Sequence, residues 1–253
     1  MRSCACISLS GGQGKTTTAF FLALLLARHG QKVLVIDADP QANLTFYLGQ
    51  DVADDEPTLL EVLTKQVEPV DGIYPTEHQG LFVMPADTSL FKVSEYLSSS
   101  GAGAFVLRQR LQTIAPLFDF VVIDVQPSRS QLCLTAAGAA DLVWIPVETA
   151  TKGVNSLMDT LNFLDEQAEF QAFTGEIAGI MPFRDRWVGR SQTNESRESV
   201  VAMKELAGDI PILPSIRESE QFKRAIRQGK LLEDINQAEL QYPFEVMEEM
   251  LNG

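Results

Sequence analysis

The chain of 253 residues is poor in the side chains that most metal and acid–base chemistry uses: two histidines, His29 and His78, and three cysteines, Cys4, Cys6 and Cys133. Metal-site spacing is absent. Cys4 and Cys6 alternate along one apolar run, so they face the same way, too far apart to bridge, and Cys133 lies in an apolar helical run. His29 precedes Gly30 at a helix end, a placement that suits capping rather than proton transfer. No apolar run reaches the roughly 18 residues of a membrane span, and Met1-Arg2-Ser3 leads straight into a strand pattern, so a cytoplasmic protein is expected. No Gly/Ser/Pro-rich linker divides the chain; with 45% hydrophobic residues, enough for one large core, a single domain over residues 1–253 is expected.

Positive charge is scarce as well, 20 Lys and Arg against 34 Asp and Glu, which argues against a protein coated in basic residues. Half of those 20 nevertheless fall between Arg184 and Lys230, beside only seven acids. Leu231 to Gly253 has six acids and no Lys or Arg, which argues against a basic amphipathic tail on a membrane.

What is present is a glycine-rich turn, Ser10-Gly11-Gly12-Gln13-Gly14-Lys15-Thr16-Thr17. Leu9 stands where the general phosphate-loop pattern has its first glycine, so the spacing is a compact, deviant form. Gly11, Gly12 and Gly14 let backbone N–H groups turn toward phosphate oxygens, Lys15 reaches the outer phosphates, and the Thr16 hydroxyl is suited to Mg²⁺. A plain turn before a buried helix is the bland alternative. The flanks favour the phosphate reading: Cys4 to Leu9 reads as an apolar strand and Ala19 to Ala27 as an apolar helix. Gly11, Gly12, Gln13, Gly14, Lys15, Thr16 and Thr17, with Pro214, are therefore assigned to a nucleoside triphosphate.

Strand-like runs at Cys4–Leu9, Lys32–Ile36, Leu81–Met84, Phe120–Ile123, Leu142–Val147 and Ile177–Met181 alternate with helical patterns. Their hydrophobicity is continuous, as in Val33-Leu34-Val35-Ile36, which predicts an α/β fold: a largely parallel twisted sheet with helices on both faces, as in P-loop NTPases. Ligand loops then follow the carboxyl ends of the strands. Asp37-Ala38-Asp39-Pro40-Gln41 follows the second run, with one carboxylate suited to orienting an attacking water. Asp124 ends the Phe120 run, as a Mg²⁺-side carboxylate does. Either acid alone would serve equally to cap the following helix.

With Gly-Gly-x-Gly-Lys-Thr-Thr, Asp-x-Asp-Pro-Gln and a strand-end Asp three residues before Pro127, most of the chain resembles the ParA/MinD family of deviant-Walker ATPases. The resemblance implies two ATP molecules sandwiched in a homodimer, phosphate binding by Lys15, Mg²⁺ at Thr16, water positioning by Asp39, which stands at the metal too, and metal support from Asp124. That family carries a signature lysine two residues before the second motif glycine, and Ser10 stands there. Serine supplies no counter-charge. Lys152, which opens a helix on the nucleotide edge, is the candidate substitute acting in trans, with Arg184 and Arg186 in reserve; a solvated lysine is the alternative. The departure at Ser10 resembles the carboxysome-positioning, McdA-type branch, with plasmid or chromosome partition and a synthetase-type metabolic enzyme as alternatives.

Arg217, Lys223, Arg224, Arg227 and Lys230 follow Pro214, and Lys223, Arg224 and Arg227 adjoin on a helix, suited to phosphate contacts without sequence readout. Glu218 and Glu220 among them also fit an ordinary solvated face. The resemblance implies non-specific DNA binding in the ATP state, association with the nucleoid, and an adaptor on the cargo that stimulates hydrolysis. Trp187 is read as a packing residue, with stacking on adenine or a partner contact as alternatives.

Overall fold

The computed structural model describes residues 1–53 and 55–252; Asp54 and Gly253, inside the expected 1–253 domain, lie outside the described residues. The chain runs β1 (Arg2–Cys6), α1 (Lys15–Arg28), β2 (Val33–Ala38), α2 (Asn43–Tyr47), α3 (Leu59–Leu63), β3 (Tyr74–Pro75), β4 (Leu81–Met84), α4 (Val93–Ser99), α5 (Gly103–Gln112), β5 (Phe120–Val125) and α6 (Gln131–Ala139). It continues through β6 (Leu142–Glu148), α7 (Thr151–Glu169), β7 (Glu176–Asp185), a small hairpin of β8 (Trp187–Val188) and β9 (Ser191–Gln192), α8 (Asn194–Ala207), β10 (Ile216–Arg217), α9 (Glu220–Arg227) and α10 (Tyr242–Asn252).

Eight strands form one sheet in the order β10-β7-β6-β1-β5-β2-β4-β3. Every pairing is parallel except β3 with β4. The continuous apolar runs explain this: β2, β5 and most of β6 are buried along their whole length, because helices cover both faces. Alternate residues feed two cores. Ala5 and Ile7 face α3 to α8, whereas Cys4 and Cys6 face α1, α9 and α10. Cys4 and Cys6 are thus on one face, as expected; both are free, and burial pushes the Cys4 thiol up to about 12.

Helix α1 is buried on nearly every side from Thr18 to Ala27, wedged between the sheet and α10. Phe21 meets Phe222 of α9 and Phe244 of α10 with ring centroids 5.6 and 5.2 Å away. At roughly 1.5–3 kcal/mol for each fully buried large apolar side chain, this central helix is held far more firmly than its termini alone could manage. Its first turn, which carries the glycine-loop threonines, is therefore a fixed platform.

The six strand runs read from sequence are all strands; Leu81–Met84 keeps its bounds and the other five have shifted ends. β1 stops at Cys6 rather than Leu9, since the chain leaves the sheet to begin the glycine turn, and α1 starts at Lys15 rather than Ala19. The two-residue strands β3, β8, β9 and β10 lie outside those runs, being too short to leave a periodic signature.

Candidate functional site

The loop between β1 and α1 owes its shape to two glycines with positive φ, Gly12 at 83° and Gly14 at 97°. Gly14 is also the residue before the first turn of α1, and a Cβ there would lie 2.5 Å from the Phe183 ring. A side chain is excluded twice over, by conformation and by space. The result is a helix N-terminus with exposed N–H groups at the carboxyl edge of the sheet, the arrangement that attracts phosphate.

A cleft of about 460 Å³ opens over this loop, bordered by Gly11, Gly12, Gln13, Gly14, Lys15, Thr16, Thr17 and Asp39, all expected from sequence. It is completed by Gln41, Asn43, Phe91, Gln126, Pro127, Ser128, Phe183 and Arg184. Of these, Arg184 is the reserve counter-charge, Gln41 and Pro127 belong to the sequence motifs without an assigned role, and Asn43, Phe91, Gln126, Ser128 and Phe183 carry no role from sequence. Phe91 is 59% exposed at the mouth of the cleft, and nothing in its neighbouring sequence distinguishes it from a core residue.

Lys15 is only 6% exposed and donates to the Ser10 carbonyl at 3.2 Å. Burial lowers its pKa, and Asp124 pulls it back up. Asp37 and Asp124 face each other across β2 and β5 in register, both fully or almost fully buried. Asp37 is satisfied: its carboxylate accepts from the Thr45 amide and hydroxyl, each at 2.8 Å, and from the Asp39 amide at 3.1 Å. Its role is to brace the loop that carries Asp39 against α2. Asp39 borders the cleft, and its Oδ1 accepts the Gln41 amide at 2.9 Å.

Asp124 differs from Asp37. Its Oδ1 is buried without a hydrogen-bond partner, and burial followed by the Asp37 charge raises its pKa, with Thr16 and Lys15 pulling it down. An orphaned carboxylate oxygen beside a threonine hydroxyl at the phosphate loop fits Mg²⁺, which takes one or two protein oxygens and completes its shell with phosphate and water. Consistent with so sparse a donor set, no cluster of three His, Cys, Asp or Glu that could hold a metal occurs among the described residues.

Of the remaining predicted residues, Lys152 and Arg184 stand beside the cleft and the others lie away from it. Lys152 stands in the first turn of α7 and its Nζ donates to the Gly11 carbonyl of its own chain at 3.3 Å. Pro214 is not at the cleft; it borders a separate hollow with Trp187, Arg217 and Tyr242. Arg217 stacks over Trp187 at 4.9 Å, and the indole donates to Asp185 at 2.9 Å. On α9, Phe222 and Ala225 are buried while Lys223, Arg224 and Arg227 are exposed, as is Lys230 just beyond. Lys223 is paired with Glu220 at 3.0 Å. Arg184 pairs with Glu148 at 3.0 Å and Arg186 with Glu218 at 2.7 Å.

A parallel sheet whose first strand opens into a glycine loop, with a buried lysine, a threonine and strand-end acids around one cleft, defines a P-loop ATPase. The profile of an AAA domain matches residues 1–172. The "Maintenance of carboxysome distribution protein A" of Synechococcus elongatus is 52% identical over 251 residues, 99% of each chain. The "Chromosome partitioning protein ParA" of Caulobacter vibrioides is 38% identical over 166 residues, 64% of this chain and 62% of that one. Among solved structures, an Asp→Ala variant of Cyanothece McdA in complex with ATP superposes with a TM-score of 0.98 at 48% identity, covering 100% of this chain and 96% of that one. Cobyrinic acid a,c-diamide synthase from Mycobacterium smegmatis, with a bound ATP analogue and magnesium, reaches 0.78 at 28% identity, covering 87% and 86%. The chain belongs to the ParA/MinD family of deviant-Walker ATPases, on its McdA-type branch.

Proposed function

We propose that this ATPase is a nucleotide-driven dimerisation switch that positions carboxysomes. ATP with Mg²⁺ closes two subunits face to face, the closed dimer holds non-specific DNA of the nucleoid, and an adaptor on the cargo stimulates hydrolysis and release. The observation that carries this reading is the likeness to the Synechococcus carboxysome distribution protein along 99% of both chains, glycine loop and C-terminal third included.

In this reading the N–H groups at Gly12, Gly14 and the start of α1, with Lys15, hold the triphosphate, and Asp39 orients the attacking water from the cleft wall. Thr16 and Asp124 would hold Mg²⁺, with Asp39 nearby, and the ion would supply positive charge to offset that of the phosphate oxygens. Lys152 takes the part of the lysine replaced by Ser10. Its ammonium already rests against the glycine loop, on a helix N-terminus where a cation is disfavoured by about 0.3–1 kcal/mol, and the partner's triphosphate, reached from there, relieves that cost. Arg217, Lys223, Arg224, Arg227 and Lys230 form the DNA-facing side, reading phosphate rather than base. A membrane role has less support: among the described residues no helix is long and apolar enough to cross a membrane, and the apolar face of α10 is spent on α1, with Phe244, Met247 and Leu251 buried.

Binding to random-sequence duplex DNA with Mg·ATP or Mg·ADP at two salt concentrations tests the reading. Binding with ATP alone that weakens steeply as salt rises is the expected result. DNA binding in neither state would favour a synthetase-type enzyme instead.

A further inference from the structure

The phosphate loop is tied at two points to the corner where β6 turns into α7. Gln13 is fully buried, and its Oε1 accepts the Glu148 amide at 2.8 Å while its Nε2 lies 3.5 Å from the Gly11 carbonyl. Lys152, four residues beyond Glu148, donates to that same Gly11 carbonyl at 3.3 Å. Gln13 therefore borders the cleft, but its side chain serves the protein rather than a ligand.

The corner it grips is stiff. A Cβ at Gly153 would lie 1.9 Å from the Glu148 carbonyl, so α7 starts pressed against the end of β6. Thr149 donates its amide to the Phe183 carbonyl and its hydroxyl to the Arg184 carbonyl, each at 2.9 Å, and Arg184 pairs with the Glu148 carboxylate. Such a corner moves as one piece. The amide of Glu148 is the point where the glycine loop takes hold of it.

We propose that Gln13 is a positioning residue for Lys152. It sets the spacing between the phosphate loop and the corner from which the lysine projects. The residue type suits that task. The arm must be long enough to cross from the loop, must end in an acceptor for the partly buried Glu148 N–H, and must be neutral to avoid burying a charge. Glutamine meets all three, whereas an apolar residue would fill the space and leave Glu148 N–H orphaned. The shared Gly11 carbonyl then acts as a resting place that Lys152 leaves for phosphate oxygens, a charge-assisted and therefore stronger partner. The inference rests on the reading of Lys152 as the lysine that acts on the triphosphate.

The test is a double-mutant cycle on the full chain, reading kcat with Mg·ATP and, separately, the Kd for ATP. The variants are Gln13→Met, which keeps length and removes both polar atoms, Lys152→Ala, and the pair together; melting curves confirm that each folds. Gln13→Met is expected to lower kcat about tenfold with the ATP Kd changed less than about threefold, since a misplaced group costs rate more than binding. The double variant is expected to be no slower than Lys152→Ala alone. Rate losses that multiply would overturn the inference and leave the Lys152 reading standing, as would a Gln13→Met variant whose affinity falls as far as its rate. An unaltered kcat in Lys152→Ala would remove both. Should Gln13→Met not fold, Gln13→Ala replaces it, and failure of both would make Gln13 a stability residue and overturn the proposal.

Discussion

The nucleotide edge and the α9 surface both carry charge, yet treat it in opposite ways. At the nucleotide edge Lys15, Asp37 and Asp124 are buried, and one oxygen of Asp124 has no partner at all. On α9 and its flanks the charges stand in solvent: Lys223 is paired with Glu220, while among the described residues no carboxylate lies within ion-pair distance of Arg224 or Arg227. A buried charge without full satisfaction is costly, so its retention points to a ligand that completes it. An exposed charge costs almost nothing and on its own indicates only a solvated face. Burial makes the first site specific to a chemistry; exposure leaves the second to be decided by binding.

This difference can be broken by substitution, with effects that should decline from the first region to the second. Asp39→Ala is expected to cut ATP turnover about a hundredfold or more by removing the group that handles the water, with ATP affinity nearly unchanged. Normal hydrolysis by that variant would refute the assignment. Lys15→Ala should weaken ATP binding about a hundredfold, the loss of a charged hydrogen bond in a buried site, as read by calorimetry. Gly14→Ala combines a strained φ with a clash against Phe183 and should lower unfolding stability by about 1–3 kcal/mol in urea titrations.

On the exposed side, Arg224→Ala and Arg227→Ala should each weaken ATP-state DNA binding alike for every sequence and reduce the salt slope by about one. Unchanged slopes would move the DNA face elsewhere. The smallest effect concerns His78, whose pKa is lowered by partial burial. The unfolded chain then takes up a proton at higher pH than the folded one, so this contribution is present above the ordinary histidine pKa and fades as pH falls through it. His78→Gln should flatten the stability profile below the ordinary histidine pKa, measured by thermal melting at several pH values.

The same contrast explains what was legible before the structure. The glycine loop, Asp39 and Asp124 stand out in sequence because each depends on local rules: a turn that only glycine can make, and polar residues ending strands too apolar to hold them otherwise. The core strands were visible for the same reason, since β2, β5 and β6 are covered on both faces. What escaped depends on distant parts meeting. Phe91 and Phe183 reach the cleft through the packing of separate elements, the buried reach of Gln13 to Glu148 spans 135 positions, and Lys152 finds Gly11 only because β6 lies beside β1. Pro214, grouped with the nucleotide residues from sequence, lines the hollow with Trp187 and Tyr242.

The central claim is that ATP closes two subunits, and light scattering of Asp39→Ala tests it most directly, because that variant should keep ATP unspent. With Mg·ATP the account predicts twice the mass of the chain, and with Mg·ADP a monomer. A monomer in both states, with ATP shown to be bound, would contradict it.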